Sequence, residues 1–221
     1  MATRQLAVLF LAVVFVCCAQ AAYPYIPTVY PLFKQCDPLW GQNLMGGNNT
    51  DYDTICIQGC AMSSLSMGLN GRGYTLSAGP FPEIPINPAS LNRWLKENDG
   101  YTCIDGNCNN LVLDAPDGIA PGDIRFIAEA EKPGVDEMQA WIDLQNPLVI
   151  AHVRENSHFV LVVGYDMQQP NTFYVNDPYF NNTSYMVWAP SPPQPQHSLT
   201  RHLQYDDMTD LLTYMIRVDR P

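Results

Sequence analysis

Cys60 sits in the run Cys56-Ile-Gln-Gly-Cys60-Ala-Met-Ser-Ser, and Ser157-His158-Phe159 and Asn176-Asp177-Pro178 follow far downstream. In that order, a cysteine, a histidine and an aspartate can supply a nucleophile, a base and a group that orients the base. A thiol attacks well only as a thiolate. A helix N-terminus favours that form through its partial positive charge and free N–H groups. Cys60 is placed for this: Met62, Leu65 and Leu69 share one face at helical spacing, and Asn70-Gly71 is a helix stop. Gly59 carries no Cβ, which leaves room for a substrate to approach the sulfur. Ser63 and Ser64 can only support the nucleophile from behind.

The base is one of four histidines, His152, His158, His197 or His202. His158 opens an otherwise apolar strand just after a turn. That position fixes an imidazole at a sheet end, where it can face a helix N-terminus. His152 competes from one strand earlier, and the position of His158 favours it. Asp177 ends the next strand, because Pro178 cannot continue the pairing. Neighbouring strand ends would then set Asp177 beside His158. Gln35 is a candidate to stabilise a developing oxyanion with its side-chain amide, and Gln58 is a second. Each residue alone has an ordinary reading: a satisfied sheet histidine, an Asn-Asp-Pro turn starter, a polar loop glutamine. The order Gln–Cys–His–Asp, with the cysteine on a helix and the histidine and aspartate on successive strands, carries the functional reading.

The elements that must hold these residues are legible in outline. Residues 23–34, aromatic and proline-rich, read as an extended lead-in packed on the body. Asn87-Pro88-Ala89-Ser90-Leu91 starts a second helix, with Asn87 as N-cap and Pro88 at the first helical position. Residues 101–133 read as irregular with one or two short strands such as 124–127, and 134–144 as a third helix. Three strand-like runs follow, at 147–153, 158–165 and 172–176, separated by polar turns, and form an antiparallel meander. A proline-rich loop spans 190–195. Residues 208–218 close the chain as a helix or a strand. Helices followed by antiparallel strands point to an α+β fold.

Composition and export bound the rest. A short positive start, an apolar run from Leu6 to Cys18 and an Ala19-Gln20-Ala21-Ala22 site read as a signal peptide over residues 1–21. The run is short of the ~20 apolar residues that span a bilayer. Its removal leaves a single domain, 22–221, in a secreted chain or one lumenal in the secretory or endolysosomal pathway. No later segment is apolar enough to span. Formal net charge is −11, with 11 Lys plus Arg, which argues against nucleic acid or anionic membrane as a partner. Asn48, Asn181 and Asn182 head glycosylation sequons, in keeping with export. Residues 23–34 are too short for an inhibitory propeptide of the usual size. Seven cysteines include Cys17 and Cys18 in the signal, so five remain and one thiol is left over.

Five segments match the papain-like C39-like peptidase group, related to the bacteriocin-processing peptidase domains, in order. They are Gln35-x-Asp37-x-x-Trp40, Thr54-Ile55-x-x-x-Gly59-Cys60-x-x-Ser63-Ser64, Pro88-x-x-Leu91, His158-Phe159-Val160-x-Val162-x-Gly164-Tyr165 and Val175-Asn176-Asp177-Pro178. The chain resembles that group over residues 33 to about 180. The resemblance implies a papain-like fold, Cys60 as nucleophile, His158 as base, Asp177 as orienter, Gln35 at the oxyanion hole, and a peptide or protein as substrate. Cys36 and Cys56 depart from the pattern as additions suited to export, and the last 40 or so residues have no counterpart in it. Within this reading Cys103 and Cys108, which enclose a Gly-Asn turn, pair as one disulfide, and Cys36 with Cys56 as another. That leaves Cys60 free.

No cofactor is expected. A zinc site competes, but the Cys spacings lack a tight C-x2-C and export favours disulfides. Asp51, Asp53, Asp99 and Asp105 lack the glycine and terminal glutamate of a calcium loop. Three functions follow: a secreted thiol hydrolase working through a covalent acyl-enzyme, an inactive binding or structural glycoprotein on the same scaffold, and an acyltransferase using the same thiol. The sequence leaves oligomeric state open.

Overall fold

The computed structural model describes residues 24–47, 52–131, 133–145, 147–153, 158–169, 171–179, 184–187, 204–205 and 212–218. The signal peptide, Asn48, Asn181, Asn182, His197, His202 and the 190–195 loop lie outside the described residues.

The elements in chain order are β1 (Pro24–Tyr25), α1 (Ile55–Gln58), α2 (Cys60–Gly71), β2 (Thr75–Ala78), β3 (Phe81–Pro85) and α3 (Pro88–Glu97). Then come β4 (Tyr101–Ile104), β5 (Asn107–Leu111), a 3-10 turn at Ala115–Gly118, β6 (Ile124–Glu131) and α4 (Val135–Asp143). The last are β7 (Pro147–Val153), β8 (His158–Asp166), β9 (Thr172–Asn176), β10 (Ser184–Val187), β11 (Gln204–Tyr205) and β12 (Leu212–Val218). Helices thus precede a largely antiparallel sheet, the mixed architecture the sequence implied.

The cap at α3 forms as its residues require. The Asn87 side chain accepts from the Ser90 N–H at 3.0 Å, and the Ser90 hydroxyl accepts from the Asn87 N–H at 2.9 Å. With Pro88 behind it, this closes a reciprocal capping box. The β7–β8–β9 meander also forms, with Val153 opposite His158 and Leu161 opposite Asn176.

Among the described residues the main sheet runs β11-β10-β9-β8-β7-β12-β6, and β1 pairs with β8 off that path. The segment that read as either helix or strand is therefore strand β12. It enters between β7 and β6, antiparallel to both. Ladder pairing with two neighbours, rather than any local periodicity, decides its state. The stretch read as irregular holds the β4–β5 hairpin and a longer β6, and an unforeseen β2–β3 hairpin precedes α3. Tyr25 of the lead-in pairs with Tyr165 on β8. Gly164 makes that approach feasible, since a Cβ there would meet the Tyr25 carbonyl oxygen.

Two cores flank the sheet. One packs α2 and α3 on it, through Met62, Leu65, Leu69, Leu91 and Leu95 against Leu148, Ile150 and Leu161. The other packs Met138 and Ile142 of α4 against Val149, Val160, Phe173 and Val175. Alternate residues of β7 and β8 thus face opposite cores, so the central strands read as near-continuous apolar runs.

Candidate active site

Cys60 is the first residue of α2, with Gly59 as N-cap, and its thiol is free and half-buried. The helix is long enough, and its apolar face buried enough, to hold this end rigidly against the sheet. The Ser64 hydroxyl donates to the Phe159 carbonyl at 3.3 Å, tying the second turn of α2 to the strand that starts with His158. Gly59 has a different purpose from the open approach its sequence suggested. A Cβ on it would lie 2.5 Å from the Ile55 carbonyl oxygen and 2.7 Å from the Ile55 Cγ2. The glycine lets α1 and α2 meet at a tight junction, and the space it leaves is filled by Ile55.

His158 opens β8 and is buried, at 7 % exposure. Its Nε2 lies 2.9 Å from Asp177 Oδ1, and Cys60 is near enough to the ring to act on its titration. With Nε2 facing the carboxylate, Nδ1 is the ring nitrogen left for another partner. Burial works against the imidazolium, but hydrogen bonds and charge from Asp177 and Cys60 outweigh it and raise the His158 pKa to about 9. The Tyr179 ring meets the imidazole edge-on, with centroids 6.3 Å apart. His152, the competing base, stacks flat on Phe159 at 3.9 Å and 6°.

Asp177 follows β9 and is fully buried. Its Oδ1 also accepts the Tyr179 N–H at 2.7 Å, so a backbone donor holds the carboxylate toward the ring. The adjoining turn meets the lead-in. The Gln35 N–H donates to the Pro178 carbonyl at 2.8 Å, and Lys34 Nζ donates to the Asp177 carbonyl at 2.6 Å.

Gln35 is buried, at 3 % exposure, and its Nε2 donates to the Cys56 carbonyl at 2.6 Å. An amide nitrogen has two N–H groups, so one remains for a further acceptor. The Gln35 Oε1 is buried with no hydrogen-bond partner among the described residues. Cys36 and Cys56 form a disulfide with Cα atoms 4.2 Å apart, which clips the Gln35 segment to α1. Gln58 points elsewhere: its Oε1 accepts from Asn107 of the β4–β5 hairpin at 3.3 Å. That hairpin is closed by the Cys103–Cys108 disulfide.

Sequence reasoning missed Lys34 and Tyr179. Lys34 had been part of an unremarkable lead-in. Its contact with Asp177 spans 143 residues, and no local spacing encodes that. No group of three or more His, Cys, Asp or Glu side chains among the described residues is placed to hold a metal ion. No helix among them is long and apolar enough to cross a membrane.

No curated protein matches the chain. Among solved structures it is similar to the crystal structure of a candidate C39-like peptidase from Bacillus anthracis. That match has a TM-score of 0.40 and 13 % identity, and covers 86 % of this chain and 96 % of that one. A family model matches residues 30–195, a span holding all the residues just described, and on that match the chain belongs to the Peptidase_C39 like family.

Proposed function

We propose that this chain is a secreted cysteine peptidase with one papain-like domain, in which Cys60, His158 and Asp177 form the catalytic set and Gln35 serves the oxyanion. The observation that carries the reading is the position of His158, whose Nε2 meets the buried Asp177 at 2.9 Å and whose titration the Cys60 thiol also shifts. The two disulfides agree with an exported protein.

In this mechanism the Cys60 thiolate attacks the carbonyl carbon of a peptide bond, and the carbonyl electrons move to its oxygen. The second N–H of Gln35, together with a backbone N–H at the start of α2, donates to that oxyanion. The oxyanion collapses, the C–N bond breaks, and His158 gives its proton to the leaving amine. Water, deprotonated by the now neutral His158, then attacks the thioester; the C–S bond breaks, the carboxylic acid leaves, and the Cys60 thiolate and His158 imidazolium are restored. Asp177 keeps the ring oriented and stabilises the imidazolium throughout.

The test is active-site labelling followed by turnover. Folded protein treated with iodoacetamide should carry the label on Cys60, and a diverse peptide mixture should be cleaved by the native chain and not by Cys60→Ala. If Cys60 resists labelling in the folded state, or is found in a disulfide, the reading fails. If Cys60 labels but no peptide is cleaved, and Cys60→Ala keeps the biological effect, the scaffold is a binding protein. If an added amine or thiol captures the acyl group in preference to water, the chain is an acyltransferase.

A further inference from the structure

We propose that Lys34 is the counter-charge and positioning residue of the site, its ammonium balancing Asp177 while the next residue, Gln35, holds the oxyanion segment to the Asp177–Pro178 turn. The inference rests on the cysteine-peptidase reading and adds a residue to it.

The argument begins with charge. A fully buried carboxylate costs several kcal/mol unless it is compensated. Asp177 is buried, and receives His158 Nε2 and the Tyr179 N–H at one oxygen. With Cys60 as thiolate and His158 as imidazolium, the three side chains sum to one net negative charge. Lys34 adds a positive charge beside them. Its Nζ donates to the main-chain carbonyl of Asp177 at 2.6 Å, which places the ammonium beside that residue. Burial lowers the Lys34 pKa, and the Asp177 charge pulls it back upward without cancelling that effect. The half-buried Lys34 is held there by what it touches.

The second strand of the argument is mechanical. The Lys34 carbonyl accepts the Trp40 Nε1–H at 2.7 Å and the Asp37 N–H at 3.1 Å, closing a turn at the end of the lead-in. Phe33 packs on Trp40, with rings 5.8 Å apart and near-perpendicular. The next residue, Gln35, bonds Pro178 through its backbone and Cys56 through its side chain. Lys34 therefore sits where the nucleophile side and the base side of the site are joined. Among the described residues, the groups facing His158 are Cys60 from α2, and Asp177 and the Tyr179 phenol ring from the turn after β9. On β7 its register partner is Val153, while His152 lies opposite Phe159 and stacks on it, and Lys34 acts from the lead-in through Asp177.

The experiment is a titration of the His158 ring by NMR in the full chain, native and variant. Lys34→Gln keeps a hydrogen-bond donor and removes the charge. Losing a nearby cation favours the imidazolium, so the His158 midpoint should move up by about half a pH unit or more. Lys34→Met should match it, and Lys34→Arg should return toward native. With peptide substrate, Lys34→Gln should lower kcat by about 5- to 30-fold, with KM within about twofold, as expected for a group worth about 1–2 kcal/mol at the transition state.

An unchanged His158 midpoint in folded Lys34→Gln overturns the proposal. A reciprocal measurement serves if the Lys34 variants do not fold. Asp177→Asn must then lower the Lys34 side-chain midpoint, and an unmoved midpoint overturns the proposal equally. Both titrations are independent of turnover. A chain that shows the shifts but cleaves nothing fails only as a peptidase, and one that cleaves without the shifts fails only here.

Discussion

His158 and Asp177 are 19 residues apart in the chain and 2.9 Å apart in space, Nε2 to Oδ1, with the carboxylate fully buried. The pair exists because β8 and β9 run antiparallel, which returns the residue after β9 to the start of β8. Its consequences can be measured.

The first is a pH dependence. The folded His158 pKa is raised from 6.5 to about 9. A group whose folded pKa is raised stabilises the fold fully below its unfolded value and loses that contribution as pH rises through the folded value. The stability difference between the native chain and His158→Gln should therefore be greatest below about pH 6.5 and shrink as pH approaches and passes about 9. Denaturant unfolding at several pH values reads it. Activity should fall on the alkaline side with a midpoint near 9, as the imidazolium is lost.

Substitutions at the site should separate by role. Cys60→Ala and His158→Ala should reduce turnover to background. Asp177→Asn keeps the shape and misorients the ring, and should lose roughly 10²–10⁴-fold in kcat. The kcat and KM of each variant check the order, and Asp177→Asn with near-native kcat would remove it from the catalytic set.

Gln35→Ala tests the oxyanion role. Removal of one such donor costs roughly 10²–10³-fold in kcat with little change in KM. The same change removes the bond to the Cys56 carbonyl, worth about 1 kcal/mol of stability. Calorimetry beside kinetics distinguishes the two, because a purely structural Gln35 would lower Tm and leave kcat near native.

The disulfides should differ in the same way. The Cys36–Cys56 bridge closes a span of 20 residues beside the site, and its removal by paired alanines should cost about 3 kcal/mol. It should also lower kcat, since it clips Gln35 to α1. Removal of Cys103–Cys108, which spans 5 residues, should cost about 2 kcal/mol and leave kcat close to native. Unfolding and kinetics of both double variants give the comparison.

Gly59→Ala places a Cβ 2.5 Å from a backbone oxygen that cannot rotate away. It should destabilise by about 1–3 kcal/mol and lower activity by shifting Cys60. A well-folded, fully active Gly59→Ala would show that the α1–α2 junction relaxes.

Local chemistry alone determined several elements. The Asn87–Pro88–Ser90 cap, the apolar face behind Cys60 and the bounds of β7 and β9 are set by residues near one another in the chain. Helical spacing, β-branched runs and Pro178 carry that information without help from distant segments. The residue types at Cys60, His158, Asp177 and Gln35 were likewise legible as chemistry. Tertiary structure decided the rest. It made 212–218 a strand between β7 and β6, put Ile55 in the space beside Gly59, and brought Lys34 to Asp177 across 143 residues. These are outcomes of packing and ladder pairing between remote segments, and neither leaves a period in the sequence.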